Sequence, residues 1–374
     1  MRAKLASIAG LSAVAMLAAA CGSSSGGSTA SPSSSASGSS SSSAPAASAF
    51  KSCVVSDTGT INDKSFNQSA YDGATSAASA SGGKITAQFL PSSSPSDYAT
   101  NITAYINQKC GIIVTVGFLM GDATQKAATA NPGQKFAIVD FSYAKPLGNV
   151  DALLFNTVED GFQGGYLAAA MSKTHKVATF GGQKLPTVTI YMDGFYDGVQ
   201  YYNQKHHANV QVLGWNEKSQ TGSFTGNFTD LTAGQRFTTT FISEGADIIF
   251  PVAGNVGLGA AKAVQTADSA AGTPKVNMMW VDTDGCISAA QYCKYFITSI
   301  DKGIKTAVNT AVTGAQSGSF KGGNYVGTLA NGGVGLAPFH DFDSKIPASV
   351  KSELTQIKAD IISGKIKPAT KSPA

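Results

Sequence analysis

From Cys53 onward the chain alternates short β-branched runs with stretches of helical spacing, and this alternation restricts the fold more than any other feature. Strands are expected at residues 53–55, 85–90, 112–116, 136–139, 152–155, 177–180, 210–213, 248–252, 276–281 and 296–298. Most are apolar throughout, the pattern of parallel strands covered on both faces. Phe162, Gly165, Tyr166, Ala169 and Ala170 share one helix face, as do Ile304, Ala307, Val308, Ala311 and Val312. Residues 187–192 have the composition of a strand, yet Val188, Met192, Phe195, Val199 and Tyr202 recur at helical intervals. Pro186 suits a first helical position, so the spacing predicts a helix there. A last helix carries Val350, Leu354, Ile357 and Ile361.

Such alternation implies an α/β fold with parallel sheets and helices on both faces. About ten strands over this length suit two doubly wound lobes better than one. Ligands of such sheets sit beyond the carboxyl ends of the strands, which directs attention to the residues just after each strand.

The first fifty residues have a different character. Arg2 and Lys4 precede a mostly apolar run, residues 5–20, that is short for a membrane span and has the layout of a secretory signal. Its end, Leu17-Ala18-Ala19-Ala20-Cys21, resembles a lipobox, with Ala18 where a branched apolar residue is usual. Residues 1–20 are therefore expected to be a signal peptide and Cys21 a lipidated anchor on the outer face of the cell membrane. An ordinary signal with a chance cysteine is the alternative. Residues 22–50 are almost entirely Ser, Gly, Ala and Pro. With little to bury, such a segment is expected to stay disordered and to average roughly 30 Å end to end.

The chain holds 27 basic and 23 acidic residues, with Arg2 and Lys4 inside the signal. No basic stripe points to nucleic acid. Cys53, Cys110, Cys286 and Cys293 follow the anchor, and four cysteines allow three pairings. Export favours disulfides over free thiols. The pairing favoured is Cys286–Cys293, which would close a short loop, with Cys53–Cys110, both placed just before expected neighbouring strands. Metal binding competes with this reading, but no CxxC occurs and His175, His206, His207 and His340 fall at no convincing ligand spacing. No metal and no cofactor is expected. Gly254-Asn255-Val256-Gly257-Leu258-Gly259 follows a strand, but its order is not that of the dinucleotide fingerprint. Its glycines suit a close backbone approach to a ligand.

After the first strand comes SDTGTINDKSFNQSAYDG, dense in hydrogen-bonding groups and carrying one aromatic. Chemistry alone leaves this loop open between a binding role and ordinary turn and cap duty. The stretch resembles the signature of the basic membrane protein (Bmp, PnrA-like) family of substrate-binding lipoproteins. VEDGFQGGYLAAAMSKTHKVATFGG, GADIIFPVAGNVGLGAAKAV, VDTDG, ITSIDKGIKTAV, GVGLAPF and IISGKIK agree in order, so the likeness covers about residues 50–368. The resemblance implies a type I periplasmic-binding-protein fold, two Rossmann-like lobes joined by crossover strands and closing like a hinged trap. On that basis residues 51–156 with about 300–335 would form an N-terminal lobe, and 157–299 with about 336–374 a C-terminal lobe.

The resemblance further implies capture of a nucleoside, often a purine nucleoside, for delivery to the permease and ATPase of an ABC importer. Carried onto this chain, it marks Phe66 as a base-stacking ring with Asn67 beside it, and Phe228 as the second ring. Asp140 and Asp282 become ribose contacts, and Lys302 a cleft lysine. Asp57 and Asp63 stand in the signature loop, and Gly254 opens the glycine-rich turn. Asp57, Asp140 and Asp282 all follow expected strands; carboxylates at such places also cap helices. A monomer without catalytic residues is expected. Two other classes remain: a sensory lipoprotein with the same trap, and a nucleoside hydrolase drawing on Asp57, Asp63 and Lys64, for which no nucleophile elbow, P-loop or metal cluster is present.

Overall fold

A computed structural model describes residues 49–269 and 275–372. Cys21 and nearly all of the expected linker lie outside the described residues. In chain order the elements are β1 (Phe50–Thr58), α1 (Phe66–Ala80), β2 (Ile85–Ser92), α2 (Tyr98–Asn107), β3 (Ile112–Val116), α3 (Gly121–Ala130), β4 (Phe136–Val139) and β5 (Val150–Phe155). Then follow α4 (Val158–Met171), β6 (Lys176–Gly181), α5 (Pro186–His206), β7 (Gln211–Leu213), β8 (Trp215–Asn216), β9 (Thr221–Gly222), α6 (Leu231–Ser243), β10 (Ile248–Val252) and α7 (Val256–Ser269). The remainder comprises β11 (Asn277–Asp282), α8 (Gly285–Ser288), β12 (Phe296–Lys302), α9 (Ile304–Ser317), β13 (Gly323–Gly327), β14 (Val334–Leu336) and α10 (Ala348–Ile362).

Two six-stranded sheets result. The first runs β13-β5-β4-β3-β1-β2 and the second β14-β12-β11-β10-β6-β7. The two orders match place for place, so β4 in one sheet corresponds to β11 in the other, and β1 to β6. All pairs in both sheets are parallel except β14 with β12. β14 enters its sheet directly from β13 of the other sheet, with no helix between. All ten expected strands are present. β8, β9, β13 and β14 were not expected, because they are two to five residues long and Gly-, Asn- or Thr-containing. Residues 187–192 are helical, inside α5.

Buried β-branched and aromatic side chains fill both faces of the sheets, with Phe136, Phe180, Phe250 and Trp280 fully inside. Helices α4 and α5 meet backbone to backbone. A Cβ on Gly165 would lie 1.9 Å from the Phe195 carbonyl oxygen, and one on Gly198 2.0 Å from that of Phe162. This contact explains why Gly165 lies on the otherwise bulky face of α4. Both expected disulfides are formed, Cys53–Cys110 with Cα atoms 6.1 Å apart and Cys286–Cys293 with 4.5 Å.

The chain passes between the sheets three times, after β5, after β12 and after β13. These passages are stitched together: Asn156 N donates to Gly327 O at 2.8 Å, and Gly303 N to Gly333 O at 2.8 Å. Among the described residues no helix is long and apolar enough to cross a membrane.

Candidate functional site

The carboxyl ends of the two sheets face each other across a cleft with about 560 Å³ of empty space, its mouth included. The structure brings all nine residues expected at a ligand site to this one cleft: Asp57, Asp63, Phe66, Asn67, Asp140, Phe228, Gly254, Asp282 and Lys302. The first lobe supplies Asp57 from the end of β1, Asp63, Phe66 and Asn67 from the following loop and helix start, and Asp140 just after β4. The second supplies Phe228 ahead of α6, Gly254 after β10, Asp282 at the end of β11 and Lys302 at the end of β12.

Lys302 is the electrostatic centre. It is buried, and its Nζ donates to Asp140 Oδ2 at 2.7 Å and lies 3.8 Å from Asp282 Oδ1. The rings of Phe66, Tyr191 and Phe155 surround the ammonium at 5.1, 5.4 and 5.6 Å from their centroids. A desolvated cation needs such partners, because an unpaired one would be costly. Asp140 and Asp282 occupy matching places in the two sheets, and both have φ of +68°, a left-handed conformation uncommon for a residue with a Cβ. Lys302 holds the Asp140 carboxylate, and Asp282 has more partners. Asp282 accepts from Tyr191 OH at 3.0 Å and from Ser65 Oγ at 2.8 Å.

Burial dominates the acid–base behaviour of the cleft. It pushes the Asp57 carboxyl well above the ordinary range, with Asp63 and Asp140 adding to the effect. Burial raises Asp63 to about 6, against the pull of backbone N–H groups of Asn67, Ser65 and Gln68. Asp140 is raised by burial while the Lys302 ammonium pulls the other way.

The nine residues differ in what remains free. Asp63 accepts from Ser65 N, Asn67 N and Gln68 N at 3.0, 2.7 and 3.1 Å, so its carboxylate is occupied with starting α1. Asn67 is buried, and its Oδ1 has no hydrogen-bond partner. Phe66 and Phe228 are half-buried rings on opposite lobes. Gly254 has φ of +53° and turns the backbone into α7.

Sequence reasoning missed Gly117 and Phe118 after β3, and Leu185, Thr187, Val188 and Tyr191 at the start of α5, all of which line the cleft. The rule that ligands sit beyond strand ends would have found the segments after β3 and β6 had it been applied to every strand. Tyr191 lies further into its helix, where only the register of α5 against β11 brings its hydroxyl to Asp282. Outside the cleft, ligand atoms of Asp284, Cys286 and His340 approach one another, but Cys286 Sγ is committed to Cys293 and offers no thiolate.

Residues 50–372 match the family described as "Bmp: ABC transporter substrate-binding protein PnrA-like". The chain is 30% identical over 328 residues to the ABC transporter nucleoside-binding protein BmpA of Lactococcus lactis subsp. cremoris, covering 84% of this chain and 88% of that one. It is 28% identical over 318 residues to basic membrane protein A of Borreliella burgdorferi, covering 82% and 84%. Among solved structures it resembles a solute-binding protein of an ABC transporter system from Aeropyrum pernix K1, with a TM-score of 0.77, 25% identity, and 87% and 94% covered.

Proposed function

The chain belongs to the PnrA-like family of ABC-transporter substrate-binding proteins, and on that premise we propose that it captures a nucleoside, a purine nucleoside in particular, and presents it to an ABC permease. The observation that carries this reading is the pairing, in one cleft, of two rings from opposite lobes with the Asp140–Lys302–Asp282 cluster. A nucleoside has the same two-part character. The reading assigns its flat base to the Phe66 and Phe228 rings, and its sugar hydroxyls, which donate to carboxylates and accept from an ammonium, to the charged cluster. The free Oδ1 of Asn67 supports recognition of an N–H on the base edge. Asp57, whose carboxyl burial pushes well above the ordinary carboxylate range, lines the same cleft. Asp63 serves at one remove, by fixing the start of the helix that carries Phe66 and Asn67.

The same reading includes a lipid on Cys21, which would hold a monomeric trap at the membrane beside its partners. Titration calorimetry with inosine, guanosine, adenosine and the pyrimidine nucleosides tests the ligand assignment. Saturable heat with a purine nucleoside is expected, along with a raised melting temperature, since a ligand of the folded state stabilises it by mass action. Silence from every nucleoside at millimolar concentration would remove the assignment.

A further inference from the structure

We propose that Ser65 and Trp280 form a latch between the lobes that holds Phe66 and Asp282 in register across the cleft. This inference rests on the solute-binding reading above. Ser65 belongs to the β1–α1 loop of the first lobe and is fully buried. Its Oγ lies 2.8 Å from Asp282 Oδ2 and 3.1 Å from the Val281 carbonyl oxygen, both in the second lobe. The single hydroxyl proton goes to the nearer, charged acceptor. One residue earlier the direction reverses. Trp280 Nε1 of the second lobe donates to the Lys64 carbonyl oxygen of the first at 3.0 Å. Lys64 has φ of +61°, the turn that aims this carbonyl at the indole.

Neither Ser65 nor Trp280 lines the ligand cleft. Their neighbours do: Phe66 follows Ser65, and Asp282 lies two residues beyond Trp280. The loop is rigid at this point because the Asp63 carboxylate holds the N–H groups of Ser65, Asn67 and Gln68. Docking the loop onto β11 therefore places a ring of one lobe and a carboxylate of the other in a fixed relation. Donors and acceptors come from different lobes, so both contacts are lost when the lobes part. Contacts made only in the closed form raise its population, and the apparent affinity rises by the same factor. Ser65 and Trp280 are thus positioning residues.

Ser65→Ala removes the hydroxyl alone. Without ligand, the variant is expected to show a larger radius of gyration by small-angle X-ray scattering and a red-shifted tryptophan emission. Trp280 is one of two tryptophans, and the other, Trp215, donates to Asp193 within the second lobe. With inosine, dissociation is expected to accelerate on the order of ten-fold, the loss of one hydrogen bond to a charged group. Trp280→Phe deletes the other half and should shift scattering and dissociation the same way. In the unmodified protein, the Trp280 indole N–H should exchange with solvent faster than that of Trp215, because lobe opening frees only the former. Folded Ser65→Ala with unchanged scattering and emission, or Trp280 exchange no faster than Trp215, would overturn the latch. If the unmodified protein binds no nucleoside, the function assignment fails, while the ligand-free scattering and exchange still decide the latch.

Discussion

Lys302 Nζ and Asp140 Oδ2 lie 2.7 Å apart, and the pair joins the lobes, since Lys302 ends β12 of the second sheet and Asp140 follows β4 of the first. Both side chains are almost wholly buried, so water screens the contact little. Removing one partner of such a pair strands the other. Lys302→Met is expected to destabilise the fold by about 3 kcal/mol, within the range typical of broken buried pairs, and to abolish nucleoside binding. Urea unfolding measures the first effect and calorimetry the second. Asp140→Asn in the Lys302→Met background should recover part of the stability and none of the binding.

Phe66→Ala should weaken purine nucleoside binding by about 10- to 100-fold, the range for losing one ring stacked on a base. The ring is half-buried at the cleft, so the melting temperature should move only slightly. Loss of folding in this variant would show instead that the ring serves the core.

Asp301 gives the stability a pH dependence of known sign. Burial raises its carboxyl to about 7, with Asp284 and Asp282 adding to the rise and His340 opposing it. The folded protein therefore binds a proton that the unfolded chain releases at lower pH. Stability from this group is greatest below the unfolded carboxylate range near 4 and is lost as pH rises through about 7. Asp301→Asn should remove that part of the slope. Urea midpoints at pH 5 and pH 7 should differ less in the variant, which should be the more stable protein at pH 7.

The two disulfides should contribute unequally. Cys53 and Cys110 are 57 residues apart, and Cys286 and Cys293 are 7 apart. The chain-entropy relation gives about 4 kcal/mol for the long loop and about 2 kcal/mol for the short one. Replacing each pair by alanine and comparing unfolding free energies checks the order. A larger cost for the short loop would show that local packing around α8 outweighs loop closure.

Much of this was legible beforehand because it depends on local patterns. Uninterrupted apolar runs marked the parallel strands, and helical spacing identified α5 despite its β-branched start. Asp57, Asp140 and Asp282 could be picked out because a strand end has a position in sequence as well as in space. Family likeness then chose between cap and ligand roles that chemistry had left open. For Asp63 the hydrogen bonds show cap duty, in that all three of its partners are backbone N–H groups of its own loop and helix.

The amino-acid sequence by itself determined the α/β alternation and favoured the pairing of Cys53 with Cys110 and of Cys286 with Cys293, and its family resemblance marked the nine residues that meet in the cleft. The alternation follows from periodicity, the favoured disulfides from loop length and expected strand adjacency, and the nine residues from motifs of a few consecutive positions that resemble the family's. Only the tertiary structure decided that Tyr191 bonds Asp282, that Lys302 reaches Asp140 across the lobes, and that Ser65 and Trp280 join the loop after β1 to β11. Those contacts link residues 91 to 217 positions apart. No local pattern records them: the Tyr191–Asp282 bond needs α5 packed in register on its own sheet, and the other contacts exist only once two separately wound sheets have been brought face to face.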